Sequence, residues 1–358
     1  AAAENFAALI ALRPDMMKAQ YYLGTAYDAL GKHEKAQAAF AAAAQSGEQM
    51  SPPPLDLAFA YEKLGRTDDA IAVYLQQLAV QETPELHAYL GELYAEKGAN
   101  DLAKQEYRRA IELDPQQFLV HFSLANLAYA EGDWQTAAVE YEAYLKADES
   151  ASIHDYAAQA YQQLGDLAAA LRHLQAASKL APNDAGLALR AANTANWLNR
   201  LAEADAAAEQ ALRLRPADPA VYLTRGQLAY KRCDLAQAVA NLERSVEISP
   251  TVAIYTGSLG GYYAARGQND KVKPLVEQLQ AAPQSDYVAH WLAGSLLTLD
   301  DRAGAIAEFE AALDSPAVPP FIAAAIHIAI GHQEVLNSNL DAARAEFEEA
   351  LRLAPDYI

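Results

Sequence analysis

The chain has 358 residues, 52% of them hydrophobic and 21% charged, with a single cysteine and a formal net charge of −20. One cysteine excludes a disulfide framework, the acidic balance argues against nucleic acid as a partner, and no run of about 20 apolar residues exists to span a bilayer. The length exceeds what a single globular core usually holds, which suits an array that grows by stacking.

Residues 1–16 read as one helix closed by Pro14, the second helix of a pair whose first is missing. On that reading the sequence is a trimmed piece of something longer. From residue 17 a pattern begins that recurs ten times. Ala36, Ala70, Ala103, Ala137, Ala170, Ala204, Ala238, Val272, Ala305 and Ala343 follow one another at 33 or 34 residues, until a last step of 38. Such a period marks stacked helix–turn–helix units. Twelve residues before each position stands Gly or Ala, from Gly24 and Ala58 to Ala293 and Gly331. Four residues after it stands, with the exception of Ala208, a bulky residue, from Phe40 and Tyr74 to Phe309 and Phe347. Small positions let helix backbones approach, and a spacing of four keeps knob and small residue on one face. Gly31, Gly65, Gly98, Gly132, Gly165 and Gly267 fall where the first helix turns into the second, with Cys233 in the same column. Pro14, Pro115, Pro182, Pro216, Pro250 and Pro355 close second helices.

Leu90-Gly91, Tyr94, Gly98, Ala103, Tyr107, Ala110 and Pro115 resemble the tetratricopeptide repeat at every diagnostic column, as do Leu23-Gly24, Tyr27, Gly31, Ala36, Phe40 and Ala43. The resemblance implies an all-α fold: a right-handed α-solenoid superhelix whose first helices line a concave groove. It divides the chain into a truncated repeat at 1–16, a regular array of about seven repeats at 17–250, irregular repeats at 251–323 and a C-terminal repeat at 324–358.

The irregular stretch holds Val272 in the alanine column, Pro274 inside a second helix, a cluster of Gly257, Gly260 and Gly261, and the insertion Ser315–Pro320. It reads as a looser joint, since an interior proline costs a helix about 3 kcal/mol. The sequence stops at Pro355-Asp356-Tyr357-Ile358 without a polar capping helix, which suggests docking or self-association through the chain ends.

Four repeats carry a carboxamide one residue after the small column, at Asn126, Gln159, Asn193 and Gln227. A carboxamide donates and accepts, which suits the main chain of an extended peptide. The series resembles the asparagine ladder in the tetratricopeptide superhelix of O-linked N-acetylglucosamine transferase, although two of the four are Gln and the adjoining repeats carry Glu92 and Gly261. Three residues further on, Tyr129, Gln162, Asn196 and Tyr230 extend the strip. Phe122, Tyr129, Trp197 and Tyr230 would serve as anchors, because buried aromatics carry most binding energy. The plainer alternative is a solvated inner face that is rich in amides.

His87, His121, His154 and His327 share a column, but equivalent atoms on neighbouring helices lie roughly 10 Å apart, whereas zinc ligands approach to about 2 Å. They are expected to pack, with no metal and no cofactor. Without an HExxH, CxxC or nucleophile elbow, no enzyme is expected. The reading is a non-enzymatic scaffold that binds a protein or peptide segment in the groove. Its alternatives are a self-associating assembly subunit and the targeting region of a larger enzyme or envelope machine. The alanine-rich, sequon-free composition suits a soluble protein of the bacterial cytoplasm or periplasm, by family association.

Overall fold

In the computed structural model, the structure describes residues 2–50, 53–298 and 300–355, and every regular element among them is an α-helix. Two compact units meet this description, 1–180 and 181–358. Unit 1 runs α1 (Ala2–Leu12), α2 (Met17–Ala29), α3 (His33–Gly47), α4 (Leu55–Lys63), α5 (Thr67–Val80), α6 (Pro84–Glu96), α7 (Asn100–Leu113), α8 (Phe118–Glu131), α9 (Trp134–Tyr144), α10 (Ala151–Gln163) and α11 (Leu167–Leu180). Unit 2 runs α12 (Ala185–Trp197), α13 (Leu201–Leu214), α14 (Pro219–Lys231), α15 (Leu235–Ile248), α16 (Ala253–Ala265), α17 (Asn269–Gln280), α18 (Tyr287–Leu297), α19 (Arg302–Leu313), α20 (Pro320–Leu336) and α21 (Leu340–Leu353). Within each unit, even-numbered first helices pair with the odd-numbered helix that follows, and each pair packs on the next. Residues 356–358 of the chain end lie outside the described residues.

The two sequence columns meet inside each pair. A Cβ added to Gly91 would stand 2.5 Å from the Tyr107 ring, one on Gly24 2.6 Å from Phe40, and one on Gly331 2.7 Å from Phe347. The missing side chain is therefore the socket for a ring sixteen residues later on the partner helix. Phe40, Tyr74 and Tyr141 are buried there, each contributing about 1.5–3 kcal/mol by leaving water. Buried phenols need hydroxyl partners: Tyr74 donates to the Glu62 carboxylate, and Tyr141 to Asn126 Oδ1 at 2.8 Å. Several helices start on a capping oxygen, as where Asp133 Oδ1 accepts from the Thr136 amide at 3.2 Å. The six turn glycines have φ between 65° and 77°, while Asn199, Cys233 and Ser338 hold φ of 58°, 63° and 63° without being glycine.

Two features of the irregular stretch differ from the sequence pattern. In the ninth repeat the socket is Gly294, not Ala293: its Cβ position lies 2.7 Å from Phe309. The link between the columns is one residue shorter, and the register of α18 moves with it. In the eighth repeat, the atoms nearest the Cβ positions of Gly257 and Gly260 belong to α18 and not to α17. Their Cβ positions lie 2.6 Å from Leu292 and Leu296 of α18, so these two glycines mark a close contact between successive first helices. The second helix α17 continues through Pro274. The insertion ends in Pro320 at the first turn of α20, and buried Ser315 donates through Oγ to the Ser285 carbonyl at 2.9 Å.

Candidate functional site

The carboxamides sit on first helices, and in each unit they are tied into hydrogen bonds that sequence spacing does not reveal. In unit 1, exposed Asn126 on α8 accepts the Tyr141 hydroxyl. On α10, Gln159 accepts the Tyr129 hydroxyl at 2.6 Å and donates to Asp155 Oδ2 at 3.1 Å. Tyr129 is half-buried, edge-on to Trp134 at 5.2 Å, and Phe122 leans on Tyr144 at 5.0 Å. These two rings are packing residues first. Gln162 is half-buried one turn beyond Gln159.

In unit 2, Asn193 on α12 accepts from Thr224 Oγ1 of α14 at 2.7 Å. Asn196, 3% exposed, donates through Nδ2 to Gln227 Oε1 at 3.2 Å, and its main-chain carbonyl accepts from Lys231. Asn196 is thus a strut between repeats. Trp197 and Tyr230 remain 62% and 47% exposed. Tyr230 meets Tyr262 edge-on at 4.8 Å. Beside them opens a cleft of about 340 Å³ lined by Gln227, Tyr230, Gly257, Ser258, Gly261, Tyr262 and Ala265. A Cβ on Gly261 would meet nothing within 4 Å. The cleft exists because glycine replaces the carboxamide in that column.

The chemical consequence is a polarity. The amide oxygens of Asn126, Gln159, Asn193 and Gln227 are occupied by intramolecular donors. The amide nitrogens of Asn126, Asn193 and Gln227 have no hydrogen-bond partner among the described residues and offer N–H donors. Sequence reasoning placed the amides but missed this division, and it missed the cleft, for which the break at Gly261 was the available signal. Elsewhere on the first-helix face of unit 1, burial pushes the Glu62 and Glu92 carboxyls up, and repulsion from Glu96 adds to it.

The histidine column is occupied as a packing column. His87 Nδ1 stands 2.6 Å from Glu106, His290 Nδ1 2.7 Å from Glu308 and His327 Nδ1 2.7 Å from Glu346, while His121 pairs with Glu140. His290 joins the column through the register change of α18. Among the described residues no three metal-ligating side chains converge.

Paired helices with a small socket, a ring knob and a glycine turn, repeated in register, define an α-solenoid of helix–turn–helix repeats. A TPR repeat model matches residues 91–132, and tetratricopeptide repeat models match 1–51, 55–84 and 157–184. The matched segments are tetratricopeptide repeats. The chain is similar to a tetratricopeptide repeat protein from Parabacteroides merdae, at 15% identity and a TM-score of 0.50, over 73% of this chain and 98% of that one. That likeness concerns the fold alone. Weaker likenesses include the human IFIT1 dimer with m7Gppp-AAAA (16% identity, TM-score 0.44, 95% and 90% of the two chains). Another is the APC/C hetero-tetramer Cut9–Hcn1 (13%, 0.46, 99% and 91%). No curated protein matches the sequence. The repeats imply a protein–protein interaction scaffold. No helix among the described residues is long and apolar enough to cross a membrane.

Proposed function

We propose that the first-helix face of unit 2 binds an extended segment of a partner protein, and that the chain works without catalysis of its own. The observation that carries this reading is the cleft at Gly261, flanked by the unpartnered amide nitrogen of Gln227 and the exposed ring of Tyr230. Asn193 Nδ2 and the Trp197 ring continue the strip along α12. Because the amides offer donors, they suit main-chain carbonyls of the segment, while a bulky side chain fills the cleft. In unit 1, Asn126, Gln159, Gln162, Phe122 and Tyr129 form a comparable but more fully engaged strip. The net charge of −20 disfavours nucleic acid as the occupant.

The test is to pan a displayed random-peptide library on the chain and measure the selected peptides against variants. Asn193→Ala with Gln227→Ala should weaken them roughly tenfold or more, since each lost hydrogen bond is worth about 0.5–1.5 kcal/mol. Gly261→Trp fills the cleft and should abolish binding. Peptides that bind both variants like the parent would place recognition elsewhere and overturn the reading.

A further inference from the structure

The cleft at Gly261 has no charged side chain in its lining, in a chain that carries 47 acidic and 27 basic residues. Other clefts of unit 2 differ. The one beside α17 is rimmed by Asp270, Lys273, Glu277, Asp300 and Asp301, and the one bounded by α13, α14 and α15 holds Asp205, Glu209, Arg225 and Arg232. A charged guest at Gly261 would exchange its hydration for walls without a counter-charge, which is unfavourable. A neutral guest meets no such cost.

Two of the walls are rings. Exposed Tyr230 on α14 and half-buried Tyr262 on α16 stand 4.8 Å apart, 84° from parallel. A planar guest in the corner of such a pair lies parallel to one tyrosine while turning its edge to the face of the other. Both preferred arrangements of aromatic pairs are then met at once. An aliphatic guest buries comparable area but gains neither, a difference of roughly two- to tenfold in affinity per ring contact. The floor at Gly261 is main chain without a side chain, on which a flat group can rest. At about 340 Å³ the cleft is at the lower end of the range for small-ligand sites, about 300–1,000 Å³.

The lining also offers one acceptor and one donor. Ser258 Oγ and Gln227 Nε2 have no hydrogen-bond partner among the described residues. A phenol or indole entering the cleft brings a polar edge that needs such a partner. The indole N–H or phenol O–H donates to Ser258 Oγ, and Gln227 Nε2 donates to a phenol oxygen.

We propose that this cleft is an aromatic-anchor site, which takes the neutral ring of a tryptophan or tyrosine between Tyr230 and Tyr262. The proposal rests on the reading of this face as a peptide-binding surface for the segment that carries the ring.

The test is saturation-transfer NMR of the whole chain with capped amino acids as probes: N-acetyltryptophanamide, N-acetyltyrosinamide, N-acetylleucinamide and N-acetyllysinamide. The two aromatic probes should bind saturably, the leucine probe roughly fivefold more weakly, and the lysine probe not at all. Gly261→Trp fills the cleft and should abolish binding of the aromatic probes. Tyr230→Leu removes one ring wall at similar volume, and should weaken them roughly threefold while leaving the leucine probe unchanged. A leucine probe as tight as the tryptophan one, a lysine probe that binds best, aromatic probes indifferent to Gly261→Trp, or no binding by any probe would each overturn the proposal. Its failure is distinct from failure of the peptide reading. Panned peptides that need Asn193 and Gln227 but tolerate leucine in place of each aromatic would sink the ring site and leave the groove. Aromatic probes that bind as expected, with panned peptides indifferent to those amides, would do the reverse.

Discussion

Gly257 and Gly261 stand one turn apart on α16 and give the packing argument an internal control. Replacing a helical glycine by alanine stabilises by about 0.8–1 kcal/mol, because the unfolded chain loses freedom. At Gly261 the new methyl meets nothing within 4 Å, so that gain is kept whole. At Gly257 it falls 2.6 Å from Leu292 Cδ1 and 2.9 Å from Leu292 Cβ. The first atom can rotate away, but the second is fixed to the α18 backbone. Overpacking of this kind costs about 1–3 kcal/mol, which cancels or exceeds the propensity gain. Gly261→Ala should therefore be more stable than Gly257→Ala by about 1–3 kcal/mol, or several degrees in thermal midpoint at roughly 2–4 °C per kcal/mol. Circular dichroism melts of the two variants and the parent measure the difference. A Gly257→Ala midpoint equal to or above that of Gly261→Ala would refute the close approach of α16 to α18. Exchange profiles of the same proteins also bear on the proposed joint, which uniform protection across 250–323 would rule out.

Two further outcomes can be checked on single variants. Cys233, exposed and held at φ 63° in a column of turn glycines, should become glycine with a gain of about 0.5–1 kcal/mol in denaturant unfolding, whereas Cys233→Val should lose stability. Glu92 has a folded pKa raised by burial and by Glu62, so its contribution favours folding at low pH and is lost as pH rises through the folded value. Glu92→Gln should stabilise the chain at pH 7 by a few tenths of a kcal/mol, the side chain being only partly withdrawn from water, and leave its stability at pH 3 unchanged.

The fold was legible because its determinants are local and periodic. Gly91 and Tyr107, sixteen residues apart, had to meet once a helix pair was assumed, and the turn glycines needed only one backbone conformation. The exceptions involve contacts between repeats. Nothing in the spacing of Ala293 and Ala305 announces that Gly294 is the socket, because a one-residue contraction is absorbed in the turn. Gly257 and Gly260 were visible, but their partners, Leu292 and Leu296, lie in the following repeat. The site shows the same limit. The positions of Asn126, Gln159, Asn193 and Gln227 could be read directly. Their occupancy could not, because the donors Tyr141, Tyr129, Asn196 and Thr224 come from other helices and the choice of oxygen over nitrogen is a matter of three-dimensional geometry.

The insertion of Leu292 and Leu296 into the glycine face of α16 has a consequence for how such an array is put together. In pairs such as Gly91 with Tyr107 and Gly24 with Phe40 a repeat brings its own socket and its own knob, so that contact goes with the unit when it is duplicated, deleted or exchanged. The repeat at 253–280 instead takes Leu292 and Leu296 from the repeat at 287–313, which keeps its own Gly294–Phe309 pair. Removing the later one strips Gly257 and Gly260 of the side chains that fill them, and removing the earlier one leaves two leucines without a seat. Recombination would have to carry these two repeats as a single cassette, and any engineered shortening of the chain should cut on either side of them rather than between.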